Sequence, residues 1–405
     1  MNRDDKSIAY IAAEHQANLV RLAAAWAEDL RDRIKTSDNT LLGALADLLE
    51  NIGSFDLNEQ SQEKYLELQK TILLIRAKSF SRILEYMLRQ SESLAENESK
   101  WARAITRQLS GSETTDISQN RISAIANFAN VQDGMTLPES IDAAAQLDAQ
   151  RIAAVCRDGL RRGKSIDTIS KEIRGTKAAN FEDGILHVTR TEAETLARTG
   201  CCGIADEAKM QFYIANADVI KAVRHVATLS SNTCLVCGNY DGIVWRIPEE
   251  VNLIPKLPIH LNCRCVHLPV TEMDEINSSS RPAEAINFWK EAEKQYEQKH
   301  PGKHWQELAR STKLKYYYEA QKDYERRTGK PAFEQVPQNM SFEAWLKTKD
   351  DDYLLEYFGK TRFDLYKKGK LPLNKFINPV ANRAFTIEEL KKHDKNSFKK
   401  AGLKN

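Results

Sequence analysis

The chain has 405 residues, 41% hydrophobic and 29% charged, which fits a globular protein of about two to four domains and excludes a disordered one. Its 59 Lys and Arg stand against 57 Asp and Glu, and a net charge of +2 excludes a whole-protein electrostatic grip on nucleic acid. No apolar run approaches the ~18 residues that span a bilayer, and the N-terminus leads into an amphipathic stretch instead of a signal-peptide core, so no membrane partner and a reducing cytoplasm are expected.

Residues 1–110 carry apolar side chains stepping by three or four: Leu19, Leu22, Trp26, Leu30 and Ile34, then Leu68, Ile72 and Ile75, then Phe80, Ile83 and Met87. This predicts a helical arm, broken between Asn51 and Asp56 by a stretch containing Gly53. Residues 111–139 are polar and weakly periodic and are expected to be a linker with one short helix. A helix is then predicted through Ile141, Leu147, Ile152 and Val155, with Gly163 as its C-terminal cap. Ser165 opens a short helix that Gly175 stops, and a longer helix covers about Leu186 to Ala215. Val219 to Thr228 reads as a strand, Asp241-Gly242 as a turn, Ile243-Val244-Trp245 as a second strand and Val266 to Val270 as a third. Residues 140–275 are thus expected to form one domain with a small β-rich patch. Residues 276–405 read as a C-terminal helical region, with Ser341 capping a helix through Trp345. Its last stretch, Ile387 to Asn405, holds six lysines and little else to pack, so a solvated, frayed terminus is expected. The fold class is α+β, predominantly α-helical.

Four of the seven cysteines fall between Cys234 and Cys265. The motif is Cys234-Leu-Val-Cys237, then 22 residues, then His260-Leu-Asn-Cys263-Arg-Cys265. A C-x2-C turn aims two thiolates at one point, and H-x2-C supplies the other half of a tetrahedral site. Five donors compete for four positions: Cys234, Cys237 and His260, with Cys263 or Cys265 as the fourth. Two half-sites separated by a hairpin favour zinc over buried free thiols, and full sulfur-rich coordination favours a structural ion over a catalytic one. Pro255 and Pro258 stiffen the approach to the second half-site. Cys156, Cys201 and Cys202 lie on helical segments and read as small buried apolar residues. His187, His225 and His267 read as satisfied histidines. No Gly-rich phosphate loop, nucleophile elbow or His-Glu-x2-His appears, so no catalytic or cofactor-binding residue is assigned and an enzyme is not expected.

In order and spacing these residues resemble the phage Mu F-like (head morphogenesis) family. The resemblance runs through Arg190-Thr191-Glu192, Val223 to Ala227, Thr233-Cys234 with Cys237, Asp241-Gly242-Ile243-Val244, and Pro258-Ile259-His260 with Cys263-Arg264-Cys265, then Pro269. Ile259 departs from the proline more usual in the family, and His225 from an aromatic. A looser likeness covers about residues 140–390, with divergence from 275 to 340. The resemblance implies a minor head (capsid) protein acting in head morphogenesis, found in the virion and, during assembly, in the host cytoplasm. It implies contact with the portal protein and the major capsid or scaffold protein, and an influence on DNA packaging or release. A weak local contact with packaged DNA, through the lysine-rich tail or the aromatics from 288 to 324, is a further expectation, although the helical spacing of those aromatics favours core anchors. The alternatives are a zinc-knuckle nuclease or Mu F-linked toxin-type enzyme, and a DNA-binding virion protein without catalysis.

Overall fold

The computed structural model describes residues 8–52, 59–131, 134–271, 280–285, 288–308, 310–329, 333–337, 339–379 and 381–403. The expected break around Gly53 therefore lies mostly outside the described residues. The chain divides into two compact units: His15–Arg224 with Val244–Glu272, and Met1–Glu14 with His225–Ile243 and Met273–Asn405.

The first unit is helical because its apolar periodicity is. α1 (Ile8–Ile52) buries Leu19, Trp26, Leu30, Ile34, Leu41, Leu45 and Leu49, and α2 (Glu59–Ser110) buries Leu68, Ile72, Phe80, Ile83, Met87 and Leu94. Leu22, one member of the expected stripe, is exposed, and the neighbouring Ala23 takes the buried position. α3 (Gln119–Phe128) starts where Ser118 accepts the N–H of Arg121, and its Ile122 and Ile125 join the same core as Trp26 and Met87. The segment expected to be a linker is thus packed over this helix. α4 (Leu137–Arg161) opens with a capping box between Thr136 and Glu139. Gly163, at φ 65, follows its C-cap Arg162, a left-handed turn that glycine adopts without strain. α5 (Ile166–Arg174) is capped by Ser165 and ends at Gly175, both as the sequence predicts. α6 (Ile185–Ala215) packs on α2, α4 and α5.

A buried ionic network ties these helices together. Arg76 on α2 is fully buried, with a nitrogen 2.7 Å from Asp38 of α1 and another 2.5 Å from Asp148 of α4. Arg190 of α6 reaches Asp38 at 3.2 Å, and Thr189 donates to Asp148.

The three expected strands form, with tighter limits: β1 (Ala222–Val226), β2 (Val244–Arg246) and β3 (Val266–Val270), in the order β2-β1-β3. β1 and β2 run antiparallel with Val223 opposite Trp245. All five residues of β3 are buried, and α6 packs against it.

The second unit contains α7 (Leu235–Tyr240) and the C-terminal elements. The sequence predicts only helices after residue 276. The structure adds β4 (Ser280–Ala285), antiparallel to β5 (Phe333–Pro337), with a register shift between Pro282 and Ala285. Pro282 has no N–H to give the ladder, which suits an irregular edge. α8 (Trp289–Lys299) and α9 (Arg310–Thr328) enclose Phe288, Tyr296 and Trp305. α10 (Phe342–Leu346) is capped by Ser341, as expected, and α11 (Asp351–Lys367) by Asp350. Phe342, Trp345, Leu346, Leu354 and Phe358 form their shared core.

The C-terminal stretch is not frayed through residue 403. β6 (Ile377–Asn378) pairs with β7 (Arg383–Ala384), and α12 (Ile387–His393) and α13 (Lys395–Lys400) follow. Leu390, Phe398 and Ala401 pack with Leu365, Leu371 and Phe376. Three spaced apolar residues suffice to anchor a segment that is otherwise lysine-rich.

Candidate metal centre

The first half of the motif is shaped by the start of α7. Cys234 is its N-cap, in extended backbone at φ −71 and ψ 160, and its sulfur accepts the N–H of Cys237 at 3.3 Å. Helix starts leave N–H groups without intrahelical acceptors. A thiolate placed there is stabilised by such donors and by the positive end of the helix. Three contacts fix the turn. The Gly238 N–H donates to the Cys234 carbonyl at 2.9 Å. The Thr233 hydroxyl donates to the Thr228 carbonyl at 2.5 Å. The Tyr357 hydroxyl donates to the Thr233 carbonyl at 2.8 Å. Gly238 lies flat against Phe342, where an added Cβ would fall 2.3 Å from a ring carbon. Asp241, buried just after α7, accepts the N–H groups of Ala227 and Phe342 at 2.9 and 2.8 Å. Burial pushes the Tyr357 phenol well up, and the neighbouring Cys234 and Cys237 sulfurs add to the shift.

The second half is a turn between β2 and β3. The Cys263 N–H donates to the His260 carbonyl at 3.1 Å, and Asn262 takes the left-handed conformation at φ 58. The Asn262 N–H is held by the Thr199 hydroxyl of α6 at 3.1 Å. His260 Nδ1 lies 2.7 Å from the Leu261 carbonyl. A carbonyl only accepts, so Nδ1 is the donor in this contact, and in the neutral imidazole that leaves Nε2 as the atom able to take a metal.

Two sets of donors have ligand atoms within 4.8 Å of one another: Cys234, Cys237 and His260, and Cys237, Cys263 and Cys265. Each could hold a metal ion. All five residues singled out in the sequence therefore fall in these groups, and Cys237 belongs to both. His187, His225 and His267 belong to neither. His267 is fully buried, with Nδ1 3.0 Å from both carboxylate oxygens of Asp206 on α6. His225 is also buried, its ring 5.7 Å from that of Tyr240.

The remaining cysteines differ among themselves. Burial pushes the Cys156 and Cys201 thiols up to about 12, so both stay protonated near neutral pH and act as apolar packing residues. Cys202 is different. Its thiol hydrogen-bonds with Cys263 and lies 3.9 Å from the Cys265 carbonyl, and that contact, with burial, raises its pKa. Reading the sequence alone missed this, because α6 and the turn at Cys263 are about sixty residues apart and no motif links them.

Arg190 and Glu192, both within the stretch that carries the resemblance, brace α6 against other helices. Arg190 joins Asp38 of α1, and Glu192 forms a two-toothed pair with Arg151 of α4 at 2.6 and 2.8 Å.

Among known proteins, residues 150–268 match the model of the family described as Phage Mu protein F like protein. That stretch holds all five donors, with α5, α6, β1, α7 and β2, the C-terminal part of α4 and most of β3. The looser likeness downstream to residue 390 lies outside it. No curated protein matches the chain, and no solved structure does.

Proposed function

We propose that this Mu F-like chain is a minor head protein of a bacteriophage, acting in head morphogenesis at the portal or inner head surface. It would contact the portal protein and the capsid or scaffold protein there and influence DNA packaging or release. The family match over residues 150–268 supports the phage-head reading. A single structural zinc ion is held by Cys234, Cys237, His260 and one of Cys263 and Cys265. The observation that carries the metal is the pair of donor groups sharing Cys237. The backbone donor on Cys234 and the Nδ1 contact of His260 with the Leu261 carbonyl fit zinc's preference for sulfur and imidazole nitrogen.

Elemental analysis of protein purified without chelator tests the site. About one zinc per chain is expected, and metal-free wild type overturns the zinc assignment. Mass spectrometry of purified phage particles and procapsids tests the head assignment. The chain is expected in one or both, and its absence from both overturns that part.

A further inference from the structure

The net charge of +2 conceals a strong asymmetry. Residues 360–405 hold thirteen Lys and Arg against four Asp and Glu, an excess of nine, so the other residues carry an excess of seven acidic charges. Three of those four carboxylates are already engaged within the module. Asp364 is buried, with Lys360 and Lys368 at 3.1 and 3.0 Å. Glu389 pairs with Arg383 at 2.6 Å, and Asp394 caps α13. Lys370, Lys375, Lys392, Lys395 and Lys399 are exposed, and none forms an ion pair with a described residue; Lys400 is also exposed and acts on the Asp394 carboxylate.

Helix dipoles explain only part of this. Lys392, Lys399 and Lys400 stand in last turns, where a cation is favoured. Lys395 stands in the first turn of α13, where it is not. Lys395 and Lys399 are also four apart on one helix, a like-charge spacing that destabilises it unless an anion intervenes.

We propose that this C-terminal module, 360–403, is a docking surface for the phosphate backbone of duplex DNA, independent of base sequence. Three observations favour this partner over others. Protein interfaces are depleted in lysine and anchored by exposed aromatic or apolar residues. Among the described residues, the exposed large hydrophobics end at Leu355, before the module begins. Single-strand binding needs open aromatic rings to stack on bases; here Phe376 and Phe398 are buried, and Phe363, Tyr366 and Phe385 are half-buried and packed against the cores. Lysines presented as point charges on a folded support suit phosphates. The inference rests on the charge distribution alone, so a chain without zinc or absent from phage particles would leave it standing.

The test is fluorescence anisotropy of the full chain with a labelled duplex of about 30 base pairs, titrated from about 50 to about 200 mM salt. Binding is expected to weaken steeply with salt and to be equal for two unrelated sequences. In the combined variant Lys392→Gln, Lys395→Gln, Lys399→Gln and Lys400→Gln, the slope of log K against log salt should become shallower by roughly 0.9 per lysine that contacts phosphate. The pair Lys395→Gln and Lys399→Gln, checked for unchanged helix content, should show a proportionate part of that change. No duplex binding at the lowest salt, an unchanged slope in the variants, or tighter binding to polyglutamate or to single strands overturns the proposal.

Discussion

Cys237 is the residue on which the candidate centre turns, because it is the member common to both donor groups. Replacing it by serine should abolish metal binding, while Cys263→Ser and Cys265→Ser should differ from each other, since only one is needed as the fourth ligand. Zinc stoichiometry across the three variants checks this; equal retention in all three would refute a centre built on Cys237. A second residue prediction concerns Gly203 on α6. A Cβ there would lie 2.1 Å from the Asn130 carbonyl and 3.0 Å from a Pro258 ring carbon. Gly203→Ala should therefore cost about 1–3 kcal/mol by overpacking, read by urea unfolding. At this scale the clustering of these cysteines and His260 was legible in the sequence, because the spacing within each half of the motif is local. The contact of Cys202 with Cys263 and the requirement for glycine at 203 were not, since both depend on which distant segment comes to lie against α6.

Element boundaries follow the same division. Ser165 and Gly175 around α5, Ser341 before α10, and the limits of β3 are all readable, because caps and short β-branched runs act over a few residues. β4 and β5 are not, because each is short and finds its partner about fifty residues away. α7 was missed because a six-residue helix is too short to show a period, and the sequence read only a hairpin there. The ionic network makes a prediction at this scale. Arg76 and Asp148 are both essentially free of solvent, so Arg76→Met leaves two buried carboxylates without their shared cation. Removing one partner of a buried pair costs about 3–5 kcal/mol, and replacing Asp38 and Asp148 by Asn in the same chain should recover part of it. Equilibrium unfolding of the single and combined variants measures the coupling, and strictly additive losses would show that the network is not a unit.

For the molecule as a whole, composition indicated a globular chain and apolar periodicity a mostly helical one, while the net charge hid how unevenly the charges are distributed. Stability against pH is a property at this scale, and Glu98 gives it a sign. Burial pushes its carboxyl up, but Lys209 at 3.2 Å and His15 at 2.9 Å together outweigh that and hold it below its ordinary value of 4.5. A lowered carboxyl stabilises the folded state fully above the unfolded value and loses that contribution as pH falls through the folded one. The stability gap between wild type and Glu98→Gln should therefore close as the solution is acidified below about 4.5. A gap that widens on acidification would contradict the assignment.

The network of Arg76, Asp38 and Asp148 also bears on how such a chain can diverge. Replacing Arg76 strands two buried carboxylates, whereas an apolar set of matching volume packs as well or better. Descendants that reach that state must cross intermediates less stable than either end. Across a lineage these three positions should thus be inherited as a block, and the side chain found at position 76 should foretell those at 38 and 148.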